Sequence, residues 1–74
     1  MTDNADQGTH FWFMAIQTPN SRGYFVADYK GTITPEPGAT RLDLFNELLD
    51  GVGQRWPESR GGVVLAFDIQ PNKL

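Results

Sequence analysis

Asp43, Glu47 and Asp50 are spaced by four and three residues, which places three carboxylates along one ridge if the segment is helical. Carboxylates in that arrangement can hold a hard divalent cation. One helix supplies too few oxygens for a strong site, so the spacing is read as a solvated face, with Asp43 and Glu47 favoured by the positive N-terminal end of the helix. His10 is the only histidine and has no second group argued beside it, whereas general acid–base chemistry needs a positioned partner. Ser21 and Ser59 sit in turn-like stretches without a nucleophile-elbow sequence. Gly51, Gly53, Gly61 and Gly62 do not open a helix after a strand, as a phosphate-binding loop requires. The expectation is a protein that is not an enzyme and that has no catalytic residue, cofactor or metal.

The segment Arg22-Gly23-Tyr24-Phe25-Val26-Ala27-Asp28-Tyr29 resembles the RNP1 motif of RNA-recognition motifs, in which aromatics on a strand stack on unpaired bases. The match breaks at Tyr24 and Phe25. Being adjacent, they point to opposite faces of a strand and cannot form a paired platform. The RNA-recognition fold also has a helix after its first strand, where this chain has only turn residues. Once Asp3 and Asp6 near the N-terminus are set aside, six Lys and Arg face seven Asp and Glu, scattered and interleaved. That is not the concentrated basic footprint of a nucleic-acid binder.

The 74 residues form one domain near the lower limit of independent folding, where only about 60% of the unfolded surface is buried. Without cysteine there is neither a disulfide framework nor a thiolate zinc site, which leaves oligomerisation as the usual remaining support. The first nine residues are polar and lack the features of a signal peptide, and no apolar run approaches a membrane span. A flexible polar tail over 1–9, a single domain over 10–74, a cytoplasmic location and no membrane partner are expected.

In HFWFMAIQ, residues 10–17, alternation sets Trp12, Met14 and Ile16 on one side and Phe11, Phe13 and Ala15 on the other. Both sides are largely apolar. TPNSRG reads as a turn, and GYFVADYKGTIT as a second strand ended by the prolines of PEPG, with Gly31 marking a bulge or a close approach. Thr40 with Asp43 has capping-box spacing, and Phe45, Leu48, Leu49, Val52 and Trp56 form a helical stripe that Leu42 or Leu44 widens. Gly51 and Gly53 weaken the last turn, so fraying is expected there before Pro57. GGVVLAFDIQP supplies a third strand.

The expected fold is α+β, a two-layer ββαβ domain with a three-stranded antiparallel sheet in order 2-1-3 and one helix packed on one face. A right-handed crossover that skips one position sets the third strand beside the first. The alternative puts it beside the second and leaves HFWFMAI on an edge. The helix side is assigned Trp12, Met14, Ile16, Phe25, Ala27, Tyr29, Ile33, Val63, Leu65, Phe67 and Ile69. Phe11, Phe13, Tyr24, Val26, Val64 and Ala66 line the open side. A hairpin register shifted by one residue would exchange the faces of the first strand. In either register, large side chains stay uncovered. A clustered aromatic patch of a few hundred Å² marks an interaction surface. Its expected occupant is a second copy, forming a homodimer, or another protein. The candidate contact residues are Phe11, Phe13, Tyr24, Val26 and Val64; single-stranded nucleic acid or a small ligand on the same aromatics is the alternative.

GTITPEPGATRLDLFNELL with the C-terminal FDIQPNKL resembles short single-domain hypothetical proteins of actinobacteria and their mobile elements. These have no assigned activity, so the resemblance implies a small intracellular accessory protein and no catalytic or binding residue.

Overall fold

A computed structural model describes residues 7–74. Strand β1 (His10–Asn20) and strand β2 (Gly23–Ile33) form a hairpin, helix α1 (Arg41–Arg55) follows, a single 3-10 turn spans Pro57–Ser59, and strand β3 (Val63–Pro71) ends the fold. The sheet order is β2-β1-β3, with β1 antiparallel to both neighbours. This is the expected two-layer α+β arrangement with HFWFMAI in the centre.

The hairpin is longer than the turn residues suggested. Thr18, Pro19 and Asn20 continue β1, and only Ser21 and Arg22 form the loop, braced by the Asn20 carboxamide oxygen accepting from the Arg22 N–H at 2.8 Å. Pro19 is tolerated in the central strand because β3 pairs only as far as Gln17, so beyond that point β1 is an edge. Gly23 leaves the loop at φ +124°, a conformation that side chains resist.

The helix starts where its capping residues place it. The Asp43 N–H donates to Thr40 Oγ1 and the Thr40 N–H donates to Asp43 Oδ2, both at 3.1 Å, which completes the capping box. Leu48 and Val52 are buried in one cluster with residues of the sheet, Phe45, Leu49 and Trp56 pack against that cluster, and Leu44 is buried as well. Leu42 faces solvent, so Leu44 widens the stripe. Fraying at the helical glycines does not occur: α1 continues to Arg55, and Gly53 is buried. Arg60 supports that end by donating from Nε to the Gly53 carbonyl at 2.9 Å, and its stem lies 3.2 Å from the position of a Cβ on Gly53.

Trp12, Met14, Ile16 and Tyr29 complete the core. Phe45 meets Phe67 edge-on at 5.1 Å, and Trp56 lies 5.0 Å from Tyr29. Gly31 marks a close approach: the Trp12 indole lies over it, 3.2 Å from the position of a Cβ. The core is thin. The molecule measures 42 × 31 × 20 Å with a radius of gyration of 13.7 Å, against about 11 Å for a compact domain of this length.

The expected tail over 1–9 has its first six residues outside the described ones. Gln7–Thr9 are held: the Thr9 N–H donates to Thr34 Oγ1, the Asn72 N–H to the Thr9 carbonyl, and Asn72 Nδ2 to Gln7 Oε1. No helix among the described residues is long and apolar enough to cross a membrane.

Candidate interaction surface

The open face is laid out by the strand register. Phe11, Phe13, Ala15 and Gln17 form its central column on β1, opposite Thr32, Lys30, Asp28 and Val26 on β2. On the β3 side, Phe11 is opposite Gln70, Phe13 opposite Asp68 and Ala15 opposite Ala66. One step further the pairing changes. Ile16 pairs with Val64 rather than Leu65, so β3 carries one extra residue at this point, a β-bulge.

That bulge corrects part of the sequence assignment. Val64, expected on the open side, pairs with Ile16 and packs against the core. Val63 and Leu65, expected under the helix, are exposed, and Val63 stands opposite Gln17 in the open-face column at 63% exposure. Each residue on the N-terminal side of the bulge has exchanged faces relative to strict alternation. Space is tight at this end of the strand. Gly62, just before β3, is pressed so close to Ile16 and Thr18 that a Cβ on it would fall 2.6 and 2.5 Å from their Cγ2 atoms.

Phe25 needs a second correction. It is on the helix side, as expected, opposite the buried Thr18, but the row lies past the end of β3 and Phe25 is 50% exposed. The remaining candidates stand where alternation set them. Phe13 is half-buried, Phe11 and Val26 are exposed, and Tyr24 is opposite Pro19 at the hairpin end. Val26, Gln17 and Val63 form one row, so a valine flanks the central column on each side. Tyr24 extends the surface rather than joining the phenylalanines.

The charged groups on this face number three among the described residues. Lys30 and Asp68 flank Phe13 on opposite sides, and Asp28 lies next along β2, its Oδ2 3.3 Å from Lys30 Nζ. Both partners of that pair are well exposed, so it contributes little to stability. Asp68 Oδ1 accepts from Gln70 Nε2 at 3.1 Å. Sequence reasoning missed Val63 as part of the surface, and it set Lys30 and Asp68 on the open face without naming them as contacts. The first was hidden by the bulge; the other two become informative only once cross-strand partners are known.

The chemistry-bearing residues of the helix do not converge. Asp43 is engaged in the cap and Asp50 accepts from Gln54 Nε2 at 2.8 Å. No group of three metal-ligating side chains occurs among the described residues. His10 stands at the end of β1 with its Nδ1 hydrogen-bonded to the neighbouring Thr9 hydroxyl at 2.8 Å. Burial raises the Tyr29 phenol above its ordinary value, and nearby Glu58 adds to the effect.

Compared with protein-family models, curated proteins and solved structures, the chain gives no significant match.

Proposed function

We propose that this chain is a non-enzymatic protein-interaction module that docks through the open face of its sheet. One observation carries the reading. Helix α1 covers one side of a sheet whose central strand is apolar on both, so Phe11, Phe13, Ala15, Val26 and Val63 are left together without a second layer among the described residues. A thin slab with half a core gains most from a partner that supplies the other half. The resemblance to short accessory proteins of actinobacteria fits this role and adds no residue to it.

Stacking of single-stranded nucleic acid on Phe11 and Phe13 is the weaker reading. Such sites pair aromatics with a cationic track, whereas this face offers Lys30 alone against Asp28 and Asp68. The test is Phe13→Glu, followed by circular dichroism for the fold and by sedimentation for association. Docking through this face predicts a folded variant that has lost association. Retained association, or salt-sensitive binding of a fluorescently labelled oligonucleotide by the wild type, would overturn it.

A further inference from the structure

The geometry points to a second copy of this chain as the occupant of the open face, related by a two-fold axis running along β1; the inference rests on the docking reading above. The argument is the order of residues across the rows. Lys30, Phe13 and Asp68 form one row and Val26, Gln17 and Val63 another. Turning a copy over about the direction of β1 brings its β3 above β2 of the first. Lys30 of each copy then faces Asp68 of the other, Val26 faces Val63, and the two Phe13 rings meet at the axis. Opposite charge meets opposite charge twice, and apolar meets apolar twice, as an isologous interface requires.

An axis across the strands lacks this match. It lays β2 over β2 and β3 over β3. Centred on the row of Phe13 it opposes Lys30 to Lys30 and Asp68 to Asp68; centred on the row of Ala15 it opposes Asp28 to Asp28. Centred between these rows it covers Val26 with Thr32 and Val63 with Gln70. Only the axis along β1 satisfies both the charges and the valines. Three strands spaced by about 4.8 Å offer roughly 500 Å² per copy, below the ~800 Å² of a standard interface, so the dimer is a reversible one. Aligned sheets cross at about 30°, close enough to preserve these facing rows.

The experiment uses two charge reversals on the whole chain. K30E presents two carboxylates where D68K presents two ammonium groups, so each variant alone sets like charges against each other. Each is expected to raise the dimer dissociation constant tenfold or more, and an equimolar mixture to return to within a few-fold of wild type by forming heterodimers. Unchanged self-association of K30E, or a mixture as weak as its components, would overturn the arrangement. A cross-link gives a second readout, because the chain has no native cysteine. Treating a mixture of V26C and V63C with a short bis-maleimide, which spans the roughly 10 Å between stacked sheets that a disulfide does not, is expected to yield a covalently linked pair, and V26C alone little. If Phe13→Glu dissociates the dimer while V26C and V63C fail to link, the face stands and the axis falls. If Phe13→Glu leaves the dimer intact, both fall. A wild type that is monomeric at every concentration overturns the second copy and leaves a different protein as occupant.

Discussion

Lys30 and Asp68 lie in one row of the sheet, on opposite sides, each the direct cross-strand neighbour of Phe13. A base and an acid placed symmetrically about an aromatic ring make a surface that is complementary to itself after a half-turn. The proposed two-fold arrangement rests on this relationship.

Adjacent residues on β2 offer a controlled comparison. Val26 and Phe25 are similarly exposed, 57% and 50%, but lie on opposite faces of the sheet. Val26→Glu is expected to abolish association, whereas Phe25→Glu leaves it within a few-fold of wild type. Sedimentation velocity on both variants, at matched concentration, checks the pair.

Gly62 tests the packing that sets the β3 faces. A Cβ there would meet the Ile16 and Thr18 side chains and fall 2.9 Å from the Gln17 carbonyl oxygen, so central-strand backbone has to move. Gly62→Ala is expected to destabilise by about 1–3 kcal/mol through overpacking. Urea unfolding measures it, and an unchanged midpoint would mean the segment relaxes freely.

The end of α1 depends on a side chain outside it. Removing the Arg60 Nε donor from the Gly53 carbonyl is expected to cost about 1 kcal/mol. Arg60→Met retains most of the apolar contact with Gly53 and Arg60→Ala retains neither, so Arg60→Ala should be the less stable of the two in thermal unfolding.

Tyr29 sets an alkaline limit. Its phenol is raised in the folded state, first by burial and then by Glu58, so over the interval above pH 10.0 the unfolded chain loses the proton that the folded chain keeps. The contribution is present below the ordinary tyrosine pKa and is lost as pH rises through the folded value. Tyr29→Phe is expected to flatten the fall in stability above pH 10.0, measured by urea unfolding at stepped pH.

The strand order and the helix were legible because their signals are local. Turn residues joined β1 to β2, Thr40 and Asp43 marked the start of α1, and the handedness of the crossover set β3 beside β1. Alternation placed Phe11, Phe13 and Val26 because the hairpin pairs without interruption. It failed on Val63, Val64 and Leu65 because the run VVLAF is apolar at every position and so has no period to set its register. The bulge lies where Gly62 approaches Ile16 and Thr18, more than forty residues earlier in the chain, so it is not a local signal. Pro19 misled in the opposite direction, since it reads as a stop unless the shorter third strand is known.

The most direct measurement is a dilution series followed by two-dimensional NMR of backbone amides and methyl groups in the wild type. The expected result is concentration-dependent shifts confined to the open face, strongest at Phe13, Ala15, Val26 and Val63, with the core residues Met14, Leu48 and Val52 unmoved. Shifts concentrated along the outer edge of β2 or on the exposed side of α1, or a spectrum constant at every concentration, would contradict it.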